Sequence, residues 1–130
     1  MKLERTAVET PTAPQAIGPY SQAICIGNMV YTSGQIPLDP ATGQIVSSDI
    51  EHQTEQVFKN LEAVLISAGS NLSQIIKITC YMTDLSAFSL VNKVFEKYLA
   101  RPYPARSCVE VSALPKDSLV EIEAVALIEQ

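Results

Sequence analysis

The feature that most limits the fold is a stripe of residues spaced three or four apart: Ile50, Thr54, Val57, Leu61, Leu65 and Ala68. That period predicts a helix over Ser48–Ala68 with one face committed to a core. Ser48 with Glu51 reads as a capping box, and Gly69 as the left-handed stop. At about 20 residues such a helix is roughly 30 Å long. It can lie across a whole sheet, so the rest of the chain is read for strands beneath it.

Tyr20–Ile26 and Met29–Ser33 flank Gly27-Asn28, a good two-residue hairpin loop because Gly accepts positive φ. In that register Ile26 faces Met29, Gln22 faces Ser33 and Tyr20 faces Gln35. Pro37–Gly43 is a loop. Ile75–Thr83 alternates: Ile76, Ile78, Cys80 and Met82 are assigned to a buried face, Lys77, Thr79, Tyr81 and Thr83 to the other. A second helix is expected over Ser86–Leu99, with Phe88, Val91, Phe95 and Tyr98 as its stripe and Pro102 and Pro104 beyond its end. Two strands, Arg106–Ala113 and Leu119–Ile128, close the chain around a turn at Pro115–Ser118. The order β-β-α-β-α-β-β predicts an α+β protein, a two-layer sandwich of a mixed β-sheet with two helices on one face. Residues 1–14 read as an exposed lead-in to a single domain covering 1–130.

Nothing in the chain is left to cover the second face of that sheet. Other copies of the chain are therefore expected to pack there, and a hydrophobic fraction of 47% against only 18% charged residues agrees. The net charge is -5 and no run of Lys or Arg occurs, which disfavours a nucleic-acid partner. Cys25, Cys80 and Cys108 are scattered and odd in number, as free thiols of a reducing compartment are. His52 is the only histidine, so no zinc site is expected. Met1–Thr10 lacks the apolar centre of a signal peptide and no apolar run approaches a membrane span. The expected compartment is the cytoplasm.

Few residues carry chemistry. Arg106 opens a strand with Cys108 on the same side; it suits either a carboxylate clamp or a structural salt bridge. Glu121 and Glu123 share one strand face, as solvent-facing acids do and as a tuned proton acceptor does. Cys108 is a small packing residue or a nucleophile, with only His52 on a distant helix to activate it. Tyr20 either plugs the hairpin's end or offers its hydroxyl to a ligand, and Ser33-Gly34-Gln35 either turns the chain or presents backbone N–H groups. If the last two strands form a hairpin about residues 115–118, Ser112 lies against Glu121 and Arg106 against Leu127. Arg106 and Glu121 are then roughly 20 Å apart, and a site using both is completed across a subunit boundary.

Three segments carry a resemblance: Ile17-Gly18-Pro19-Tyr20-Ser21-Gln22, Thr32-Ser33-Gly34-Gln35-Ile36-Pro37, and Pro104-Ala105-Arg106-Ser107-Cys108-Val109-Glu110-Val111 continuing through Leu114-Pro115-Lys116-Asp117 to Val120-Glu121-Ile122-Glu123. Over about Ala13 to Ile128 the chain closely resembles the RidA group of the YjgF/Rid family, the reactive intermediate deaminases. The resemblance implies a chorismate-mutase-like fold and a homotrimer with sites in the clefts between subunits. It implies hydrolysis of 2-iminopropanoate and 2-iminobutanoate to 2-oxo acids and ammonia, with no cofactor. By motif position, Arg106 is expected to bind the substrate carboxylate and Glu121 to position or activate water. Cys108 is expected to line the pocket, partly through its backbone, and Tyr20, Ser33, Gly34 and Asn92 match further pocket positions. Leu99–Tyr103 falls in a variable loop of the family, where substrate preference is open to change. The resemblance also carries two rivals, a ligand-binding regulatory protein without turnover and a translation-inhibiting endoribonuclease.

Overall fold

In the computed structural model the long helix, α1, spans Ile50–Ser67. Residues 3–129 are described; Met1 and Lys2 of the expected lead-in, and Gln130, lie outside them. The helix cap differs from the expected capping box. Asp49 is the N-cap, and its carboxylate accepts the His52 N–H at 3.0 Å. The carboxylate reaches the orphan donor of the first turn directly, so Ser48 is not needed there. Gly69 ends the helix at φ +87° as expected. Phe58, absent from the expected stripe, is fully buried. Its ring meets Phe95 edge-on at 5.0 Å and stacks on Tyr98 at 5.2 Å, which fastens α1 to α2, Phe88–Tyr98. A short 3-10 turn over Leu85–Ala87 occupies the expected first turn of α2.

Six strands form one mixed sheet: β1 Thr6–Val8, β2 Ala23–Ile26, β3 Met29–Thr32, β4 Ile75–Met82, β5 Ala105–Glu110 and β6 Val120–Leu127, in the order β1-β2-β3-β6-β4-β5. The lead-in is not simply exposed. β1 pairs with β2, Val8 and Ala13 are buried, and the Gln22 side chain accepts from Thr10 N at 2.7 Å while donating to the Pro14 carbonyl at 2.8 Å. A buried amide with both ends engaged ties down a segment that composition alone reads as a tail. The β2–β3 register is the expected one: Ile26 faces Met29, and Ser33 N donates to Gln22 O at 2.9 Å. Tyr20 does not face Gln35, because Gln35 bridges β6 instead, its N–H donating to Ile122 O at 2.8 Å.

The expected closing hairpin is the largest correction. β5 does not pair with β6; it runs parallel to β4, and β6 pairs antiparallel with the other edge of β4 and with β3. β4, α2 and β5 form a β-α-β unit, whose crossover helix returns the chain parallel to its start. Val120, Ile122, Ala124 and Ala126 are all 3% exposed or less; a strand so apolar on one face belongs inside the sheet. β5, with the charged Arg106 and Glu110 and the polar Ser107, carries the polar side chains an unpaired edge tolerates.

A register shift between Ile75 and Lys77 corrects one more assignment. Ile75 is buried and Ile76 lies 43% exposed, while Ile78, Cys80 and Met82 are fully buried as expected. Both helices cover this face. The other face, carrying Tyr31, Tyr81, Val109, Glu121, Glu123, Val125 and Leu127, meets no helix. Among the described residues, no helix is long and apolar enough to cross a membrane.

Candidate functional site

The candidate residues fall into two groups. The first sits where α2 meets the outer edge of the sheet. Arg106 pairs in register with Ile78, so it points to the helix-covered side. There its Nη1 donates to Asn92 Oδ1 at 2.7 Å. The guanidinium carbon lies 5.0 Å from the Phe88 ring centre and 4.9 Å from that of Phe95, within cation–π range. The side chain is exposed, and among the described residues Arg106 makes no salt bridge. The structural salt bridge that sequence allowed is thus not what holds it. Asn92 and the two rings fix the guanidinium while leaving donors free. An open pocket of about 410 Å³ adjoins it, lined also by Asn92, Phe95, Glu96, Leu99 and Tyr103.

Cys108 lies two residues further along β5 on the same side, half-buried, its Sγ 3.7 Å from Met82 Sδ. It pairs in register with Cys80. Burial, and then the neighbouring Cys108, push the Cys80 thiol far above its ordinary range, which makes Cys80 an inert core residue.

The second group gathers at the β3–β6 junction. Glu121 extends from β6 across Gly34: a Cβ built on Gly34 would meet Glu121 Cδ at 2.7 Å. A side chain there would displace the carboxylate from this position. Burial, and then the charge of Glu123, raise the Glu121 carboxyl above its ordinary value. Glu123 accepts a hydrogen bond from the Tyr81 hydroxyl at 3.3 Å. Ser33 Oγ donates to Ser21 O at 2.5 Å, joining this group to the turn carrying Tyr20. The Tyr20 ring is exposed and its hydroxyl accepts from Ile17 N at 3.3 Å.

Tyr20, Ser33, Gly34 and Glu121 are therefore grouped on one side, and Asn92, Arg106 and Cys108 on the other. Arg106 aligns through Ile78 with Ala124, while Glu121 lies three positions along β6 opposite Tyr81. The offset is roughly 10 Å along the strands and roughly 10 Å across them. More decisive is the odd step: it puts the two side chains on opposite faces of the sheet. The separation expected from a closing hairpin exists, but for this different reason. Sequence reading missed Phe88 and Phe95 as the seat of Arg106, having assigned both to core, and missed Tyr81 as a neighbour of Glu121 and Glu123, which it did place on one face. The signal was the helix between β4 and β5, which calls for a parallel crossover and sets Arg106 against α2.

The profile of a family described as endoribonuclease L-PSP matches residues 10–128. The human 2-iminobutanoate/2-iminopropanoate deaminase is 42% identical over 125 residues, covering 96% of this chain and 91% of that protein. The crystal structure of RidA from an Antarctic Psychrobacter superposes with a TM-score of 0.92 at 45% identity, over 95% of this chain and 99% of that one. The crystal structure of Escherichia coli TdcF with bound serine superposes at 0.88 and 43% identity, again over 95% and 99%.

Proposed function

The chain belongs to the endoribonuclease L-PSP family, also called YjgF, and on that premise we propose that it is a deaminase hydrolysing 2-imino acids to 2-oxo acids and ammonia. The observation that carries this reading is Arg106, an exposed guanidinium with no acidic partner among the described residues, seated on two rings beside an open pocket. A fixed planar cation of this kind suits the carboxylate that every 2-imino acid carries. Serine, bound in the relative TdcF, is a small acid with the same carboxylate.

In the reaction water adds to the C=N carbon, the nitrogen takes up protons, and the C–N bond breaks to release ammonia. Arg106 holds the carboxylate with Asn92, and the Cys108 backbone lines the cleft. Glu121, raised by burial, accepts the proton of the attacking water, and Tyr20, Ser33 and Gly34 frame it. The carboxylate pair contributes about 1.5–3 kcal/mol and positioned acid–base assistance about 10²–10⁴-fold. Imines already hydrolyse in water, so these suffice without a cofactor or metal. The site forms between copies of the chain, one supplying Arg106 and another Glu121, in a homotrimer packed through the uncovered sheet face. Small 2-imino and 2-oxo acids are then the ligands.

The test is ammonia and 2-oxo acid release when an amino-acid oxidase generates the imine in situ. Wild-type protein accelerates release, and Arg106→Ala lowers kcat/KM about 10- to 150-fold, the equivalent of the lost carboxylate contact. An unaffected Arg106→Ala variant contradicts the reading. The family's description supports a second reading, RNA cleavage. The net charge of -5 without a basic patch weighs against it. RNA cleavage by extensively purified protein that disappears in Arg106→Ala would favour it over the first.

A further inference from the structure

The pocket beside Arg106 is larger than the imines considered so far. At about 30 Å³ per water, about 410 Å³ is room for more than a dozen, whereas 2-iminobutanoate has seven non-hydrogen atoms. The excess space lies on one side of the guanidinium, along α2 and the segment that follows it. Phe95 and Leu99 are both 7% exposed and form an apolar floor, and Tyr103, 48% exposed, stands at the mouth. Arg101 lies 5.5 Å from the Tyr103 ring centre; it borders the adjoining groove and does not line this pocket. Glu96, the remaining charged residue of the lining, puts a carboxylate at the wall with no salt bridge among the described residues. The lysines of α2 nearest in sequence, Lys93 and Lys97, are turned to Glu51 and Glu55 on α1 at 3.7 and 2.8 Å. Among the described residues of one chain, Arg106 is thus the sole cation lining the pocket, and the substrate's own carboxylate occupies it.

We propose that this pocket receives the substrate side chain, and that Tyr103 and Glu96 make the enzyme select 2-imino acids with extended apolar side chains over dicarboxylic ones. The inference rests on the imine-hydrolase reading and on Arg106 as the carboxylate anchor. With the carboxylate on Arg106, a branched or aromatic side chain lies over Phe95 and Leu99 against the Tyr103 ring, gaining buried apolar area that a methyl group cannot reach. A second carboxylate in the same place meets Glu96 with no further cation among the lining residues to offset it, and like charges at close range disfavour binding. Methylene-sized differences in an apolar pocket discriminate by about 10- to 200-fold, so the effect is measurable.

The experiment compares kcat/KM for imines generated from alanine, leucine and aspartate by matched amino-acid oxidases. Wild type handles the leucine-derived imine at least as well as the alanine-derived one and the aspartate-derived imine about tenfold less well. Tyr103→Ala lowers the leucine-to-alanine ratio about tenfold and Tyr103→Phe keeps it. Glu96→Gln raises the aspartate-to-leucine ratio about two- to fivefold, the scale of one exposed charge contact. Ratios unmoved by Tyr103→Ala and Glu96→Gln, or a wild-type preference for the aspartate-derived imine, overturn the selectivity proposal and leave the imine-hydrolase reading standing. No acceleration of any imine, the alanine-derived one included, overturns that reading and the proposal with it.

Discussion

Ile122 and Glu121 are adjacent on β6, yet they meet opposite surroundings. Ile122 is fully buried beneath the helices; Glu121 reaches across Gly34 on the face no helix covers. The same alternation puts Arg106 on the helix side and Glu121 on the other. One sheet therefore carries the two proposed halves of the site on opposite faces. The helix side is covered, while the other face, where Tyr31 is 47% and Leu127 37% exposed, is the proposed contact face for another copy of the chain.

The sharpest way to break this contrast is to remove the carboxylate alone. Glu121→Gln is expected to lower kcat in the imine assay about 10²–10⁴-fold, the usual worth of a positioned acid–base group, with secondary structure by circular dichroism unchanged. Ile122→Ala is expected to do the reverse, costing about 2–5 kcal/mol of stability in denaturant unfolding. Tyr31→Asp is expected to leave the fold intact but to reduce the assembly's mass in analytical ultracentrifugation, since it puts a charge on the proposed contact face. A Tyr31→Asp protein of unreduced mass argues against packing through that face.

The smallest effect is on pH dependence. The Glu121 carboxyl is raised in the folded chain, so folding favours its neutral form. The associated stability is complete below the ordinary carboxylate range and is lost as pH rises through the raised value. Glu121→Gln is therefore expected to melt with or slightly above wild type near neutrality, and to lose that difference at acid pH. In wild type the acid limb of the kcat/KM profile falls above the ordinary carboxylate range, because Glu121 acts deprotonated. An advantage of Glu121→Gln that grows on acidification contradicts this assignment.

Much of the frame was legible in sequence because it depends on local periodicity. The α1 stripe, the Gly69 stop, the Gly27-Asn28 hairpin and the buried series Ile78, Cys80, Met82 are where their spacing puts them. What failed depends on long-range competition. β1 reads as lead-in because three residues carry too little pattern; the buried Gln22 amide that fixes the neighbouring segment 10–14 cannot be foreseen from composition. Ile76 departs from the alternation because one extra residue at the Ile75/Lys77 shift flips the pleat. The turn at Pro115–Ser118 reads locally as a β5–β6 hairpin, whereas the crossover through α2 and the buried face of Val120–Leu127 decide the pairing. Of the candidate site, the residue types were readable from motifs, but the seat of Arg106 on Phe88 and Phe95 belongs to that crossover.

Mixing two inactive variants tests the division of the site most directly. Arg106→Ala and Glu121→Gln chains, unfolded together and refolded at equal amounts, should regain activity. By random assortment about a quarter of the shared clefts then join an intact Arg106 to an intact Glu121 across a heterologous interface. Mixed assemblies verified by native mass spectrometry that stay as inactive as either parent would contradict a cleft shared between chains.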